Sequence, residues 1–194
     1  FLKLTSLQFS SLLSLRKQAC SYSVSRSTIY CCTAARGDAS DFDAMIKLYR
    51  ASDMDEEKSR LRTAGLANFS KKELLQRSLD FAISDDVRAQ DSVFLIASVA
   101  RNRLGRDLAW EFFKEKQAML KERYESGFLL SCLVKSVSER FLTEEMAKTV
   151  ELYFEAHQMP GSERNVSQAV ETIRLNAAWL TRDATAIKTV LAEF

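Results

Sequence analysis

The chain has 194 residues, 46% of them hydrophobic, enough for one helical domain or an array of small units to bury a core. A formal net charge of +2 gives no electrostatic footprint for nucleic acid, and no run approaches the roughly 18 apolar residues that a membrane span requires. One proline and five glycines in the whole length, the glycines falling between periodic segments at 37, 65, 105, 127 and 161, exclude a strand-and-turn architecture and predict a nearly all-helical chain.

Residues 1–37 contain no acid, five basic side chains (Lys3, Arg16, Lys17, Arg26, Arg36) and eight serines. Such composition is that of a mitochondrial import segment, a minor alternative to a flanking or misjoined stretch. From Asp41 onward amphipathic helices follow one another. Phe42, Met45, Ile46 and Tyr49 make one stripe. In "DMDEEKSRLRTAGL" the acids from Asp53 to Glu57 sit where a helix N-terminus favours negative charge. Ser70 and Glu73 have capping-box spacing ahead of Leu75, Leu79, Ala82 and Ile83. Val93, Ile96, Ala97 and Ala100 mark the next helix. Gly105 opens "GRDLAWEFFKEKQAMLKERY", and Gly127 lies early in the strongly apolar "GFLLSCLVKSVSERF", which is expected to be covered on both flanks. Thr143 can cap a helix carrying Met146, Val150, Tyr153 and Phe154. After Pro160 and Gly161, Ser162 can cap a helix with Val166, Ala169, Val170, Ile173, Ala177 and Leu180 on one face. Asp183 can then cap a second short helix carrying Ala186, Ile187, Val190 and Leu191, so a terminal hairpin is expected.

Units of 12–18 residues with short connections predict an all-α fold of stacked antiparallel helix pairs, a HEAT-like α-solenoid, with a closed bundle the competing architecture. Four cysteines (Cys20, Cys31, Cys32, Cys132) form no C-x-x-C pair, which points to a reduced, cytoplasmic protein. The sequons at Asn68 and Asn165 carry little weight.

Chemistry is scarce. No phosphate-binding, dinucleotide-binding, nucleophile-elbow or H-E-x-x-H motif occurs. His157 is the sole histidine, where a catalytic zinc site uses two or three, and its place near a helix end suits the carbonyl terminus. "DMDEE" lacks a calcium-loop frame. "RNRLGR" (Arg101, Arg103, Arg106) lacks interleaved aromatics and reads as a solvated loop, while Trp110, Phe112, Phe113 and Tyr124 read as core. No catalytic or metal-binding residue is therefore expected, and no substrate-binding residue is assigned.

The segments "IKLYRASDMDEEKSRL", "FAISDDVRAQDSVFLIASVA", "GRDLAWEFFKEK" and "ETIRLNAAWLTRDATAI" closely resemble the C-terminal helical domain of zinc aminopeptidases of the puromycin-sensitive group. The resemblance runs from about Thr28 to the end. Its most specific pieces are R-x-Q-D at Arg88 to Asp91, with Ala89 where relatives often carry Pro, and N-A-A-W-L-x-R-D at Asn176 to Asp183. It implies a HEAT-like domain over residues 28–194, the later part of a superhelix, that encloses a peptide chamber over a zinc-bearing catalytic domain. The expected role is that of a non-catalytic lid and chamber wall. Zinc is expected only in that catalytic domain, since H-E-x-x-H and the G-A-M-E-N loop of the family do not occur in this chain. The implied partners are the catalytic domain of the same or a related aminopeptidase and, in the assembled chamber, peptide. Nucleic acid and membrane are not expected. A free-standing helical-repeat module that docks a protein or peptide is the alternative. Residues 1–27 match nothing in the family and are expected to be disordered or misjoined. A solenoid cut mid-stack exposes an apolar face, so residues 28–194 alone are expected to be marginally stable or covered by residues 1–27 or a partner.

Overall fold

A computed structural model describes residues 23–124 and 127–193, and the first 22 residues of the Ser-rich segment lie outside this range. The described residues form ten α-helices and no strand, as the scarcity of glycine and proline predicts. The chain divides into two compact units, Phe1–Ala109 and Trp110–Phe194, each with its own core.

In the first unit, α1 (Ser23–Arg36), α2 (Ala39–Ala51) and α3 (Asp55–Arg60) are followed by a π-turn, Leu61–Gly65, and a 3₁₀-turn, Leu66–Asn68; α4 (Lys72–Ala82), α5 (Ala89–Arg101) and the start of α6 (Arg106–Glu115) complete it. Helix α2 starts because Asp38 accepts from the Ser40 and Asp41 amides while the Asp41 side chain returns to the Asp38 amide, a capping box the spacing does not advertise. Its stripe of Phe42, Met45, Ile46 and Tyr49 is buried as expected. Phe42 packs on Phe69 and Tyr49 edge-on to Phe81, both at 5.3 Å between ring centroids. Where one helix is predicted across 53–66, the backbone widens into the π-turn. The Met45 sulfur comes so close to Gly65 that a Cβ there would stand 3.0 Å away. Helices α4 and α5 pack against each other, and the Asn102 amide ties the loop after α5 to the Ala67 and Phe69 carbonyls at 3.0 and 3.1 Å.

The expected capping box at Ser70 and Glu73 is absent. The N-cap position of α4 is Lys71, with no side-chain cap, and the Ser70 hydroxyl donates to the Ala35 carbonyl at 2.8 Å. A long-range bond to α1 has won over a local one.

The second unit holds the rest of α6, then α7 (Gln117–Tyr124), α8 (Phe128–Ser138), α9 (Glu144–Ala156) and α10 (Glu163–Ala192). Its centre is an aromatic cluster in which Trp110 stacks near Phe113 at 6.1 Å and meets Tyr153 and Phe154 edge-on at 5.1 and 5.9 Å. Helix α8 is less enclosed than its apolar sequence suggests. Leu130, Leu133, Val134 and Val137 are buried, but Phe128 is 81% exposed. Thr143 caps α9 by accepting from the Met146 amide, as its sequence position predicts. Between α9 and α10 the chain reverses through Gly161, whose φ of 82° is open to glycine at little cost. Ser162 takes the N-cap position of α10 without a side-chain cap bond; its hydroxyl lies 3.1 Å from that of Ser131.

The expected terminal hairpin is not formed. Helix α10 runs unbroken for 30 residues, and Asp183 lies inside it, bound to the neighbouring Arg182 rather than to backbone amides. Neither proline nor glycine interrupts 163–192, so local propensity favours continuation.

Candidate functional site

Two places concentrate polar groups within cores or grooves. The first is a buried network in the first unit. Arg62, 3% exposed, donates to the Asp91 carboxylate at 3.0 Å and to the Tyr49 hydroxyl at 3.3 Å. Asp91 also accepts from Arg88 Nε at 2.7 Å, and Arg88 reaches Asp55 at 3.0 Å. The R-x-Q-D motif is thus a clasp holding the start of α5 to α3 and the π-turn, and the buried cation and anion neutralise each other. Beside it, Glu57 accepts from the Tyr30 hydroxyl, from Arg26 at 3.2 Å and from Arg60 at 3.3 Å. Burial pushes the Glu57 carboxyl up, but these hydrogen bonds outweigh it and hold it below the usual carboxylate range. The acids of "DMDEE" do occupy a helix start, yet Glu57 turns inward, 5% exposed.

The second place is a groove of about 880 Å³ in the second unit, where the end of α9, the 157–162 reversal and the first half of α10 meet. Phe154, Met159, Val166 and Val170 supply its apolar floor, and Glu151, Glu155, Glu163 and Glu171 its rim. Arg174 is the basic residue of the lining; it bridges Glu151 at 2.8 Å and Glu144 at 3.2 Å. An apolar trough with an acidic rim can take an apolar segment flanked by positive charge. Carboxylates at 151 and 155, one turn apart beside the Val150–Phe154 stripe, are the signal that marks this rim in the sequence.

Other candidates are engaged elsewhere. The His157 ring stacks on Tyr153 at 4.4 Å, and its Nδ1 donates to the Tyr153 carbonyl at 2.9 Å, the helix-end role expected of it. Among the described residues no group of three or more His, Cys, Asp or Glu side chains could hold a metal ion. Cys31 and Cys32 are exposed and unbridged. Arg101 donates to Ser98 at 2.9 Å, and Trp110, Phe112, Phe113 and Tyr124 are core. The sequon amides of Asn68 and Asn165 each donate to a backbone carbonyl at 2.8 Å. No described helix is long and apolar enough to cross a membrane.

The family model of the ERAP1-like C-terminal domain matches residues 22–175. The chain belongs to the ERAP1-like C-terminal domain family. Similar proteins include Aminopeptidase M1 of Arabidopsis thaliana, 31% identical over 147 residues, and Aminopeptidase N of Bos taurus, 33% identical over 160 residues. Aminopeptidase N of Canis lupus familiaris is 30% identical over 168 residues. These alignments take in 76%, 80% and 84% of this chain but only 16%, 16% and 17% of the respective aminopeptidases. The region they match is the C-terminal helical domain of those enzymes. The R-x-Q-D clasp falls inside the matched range. So does the acidic groove up to Leu175, whereas the whole second half of α10 lies beyond it.

Proposed function

We propose that this chain is the non-catalytic C-terminal lid and chamber wall of a zinc metallo-aminopeptidase that releases N-terminal residues from peptides. The observation carrying this reading is the match of residues 22–175 to the C-terminal domain family, together with the small share of each aminopeptidase that the chain spans. The helix pairs would stack as a HEAT-like solenoid against the catalytic domain, with peptide enclosed between them. The side chains described do not fit zinc: the sole histidine is committed to a helix end, and no donor cluster surrounds it. The metal is assigned to the catalytic domain on the strength of the family resemblance, and no step of peptide hydrolysis is assigned to residues of this chain. The cytoplasm is the proposed compartment, supported by Cys31, Cys32 and Cys132, which are unbridged among the described residues.

A domain exchange tests the reading. Residues 22–194 replace the corresponding C-terminal region of Arabidopsis Aminopeptidase M1, and the chimaera is compared with the enzyme lacking that region. Recovery of peptide turnover in the chimaera is expected, with none from the isolated 194-residue chain. A folded chimaera no more active than the truncated enzyme, or chelator-sensitive turnover by the isolated chain, overturns the assignment.

A further inference from the structure

The groove between α9 and α10 combines an open apolar floor with carboxylates that nothing in the chain neutralises. Phe154 comes from α9, Met159 from the reversal, and Val166, Val170 and Leu175 from α10. Leu175 stays 63% exposed, so the protein's own packing does not close that floor. Along α10 the lining runs from Glu163 to Ala178, about 22 Å at 1.5 Å per residue. The rim sets four carboxylates against one guanidinium. Arg174 bridges Glu144 and Glu151, so its charge is already matched. Glu163 accepts from the Gly161 amide at 3.1 Å. Lys121 bonds the Gln158 carbonyl at 2.8 Å beside the reversal, outside the lining. Among the described residues Glu155, on the α9 wall, and Glu171, on the α10 wall, have no salt-bridge partner. Unmatched carboxylates on both sides of an apolar floor favour an occupant that is apolar beneath and cationic on both flanks.

We propose that this groove docks an amphipathic helix of a partner protein, about four turns long, with an apolar face and lysine or arginine on both flanks. An extended segment fits less well. Both walls are helices whose backbone groups bond within themselves, so such a segment finds no ladder and leaves its own amides unpaired over the apolar floor. A helix brings its backbone bonds with it and offers side chains to the floor at steps of three and four residues. Its flanking cations meet Glu155 on one side and Glu163 and Glu171 on the other. Docking depends neither on zinc nor on the aminopeptidase assignment.

Fluorescence anisotropy tests this, with the full 194-residue chain and a labelled leucine–lysine peptide of about 15 residues, apolar on one helical face. Saturable binding with Kd on the order of 10 μM at physiological salt is expected. Glu155→Lys with Glu171→Lys should weaken it at least about tenfold, with far-UV helix content unchanged because both side chains are exposed. Leu175→Asp should weaken it too, through the floor. The same charge change made outside the groove, Glu73→Lys with Glu122→Lys, should alter the affinity less than about twofold. Absence of saturable binding, or equal weakening by the outside pair, would overturn the proposal. So would equal affinity for a leucine–glutamate peptide, or displacement by spermine at the peptide's own concentration, in favour of a purely apolar or a small polycationic occupant.

Discussion

Glu57 shows how a residue's role is set by contacts that its neighbours in sequence do not reveal. Its place among the acids of "DMDEE" announces a helix start, and it does lie in the first turn of α3. That it turns inward to Tyr30 and Arg26 depends on chain 27 and 31 residues earlier, and no local pattern encodes such a pairing. The same holds for Arg62, whose buried bond to Asp91 joins residues 29 apart. Because the folded-state carboxyl of Glu57 is held below its ordinary value, its contribution is fully present above the unfolded glutamate range. It is lost as pH falls through the folded value. Glu57→Gln should therefore cost about 1–3 kcal/mol at pH 7. The gap between the two proteins should narrow as pH drops through the carboxylate range. Urea denaturation at neutral and acid pH measures both, and a gap that stays constant or widens in acid would contradict the account.

At the level of elements, stripes and starts were more legible than ends. The Phe42–Tyr49 stripe, the Thr143 cap and the helix-terminal His157 follow from periodicity and local hydrogen bonding, the two kinds of information a single sequence holds. Ser162 holds its N-cap position without a side-chain cap bond, and two other expected caps failed for opposite reasons. Ser70 found a better acceptor in α1, and Asp183 found no terminus to cap because nothing between 163 and 192 breaks the helix. The acidic groove was missed because it exists only once α9 folds back on α10. That return depends on Gly161 at positive φ. Gly161→Ala should destabilise the protein by about 1–2 kcal/mol, read as a lowered urea midpoint with an unchanged slope. An unaltered midpoint would mean that the reversal does not need this backbone geometry.

For the molecule as a whole, composition alone predicts the all-α class, and the resemblance of quoted segments predicts the family that residues 22–175 match. The stacking of helix pairs into a solenoid, the peptide chamber and the catalytic partner are proposals that rest on the family match. The central claim is that the chain acts as part of an aminopeptidase and not by itself. The size of the native protein tests it most directly: an immunoblot of source lysate with an antibody to residues 161–194, and mass spectrometry of the band to confirm that peptide. A band several times larger than 22.0 kDa is expected. A band near that mass alone would contradict it and make the chain a free-standing helical module.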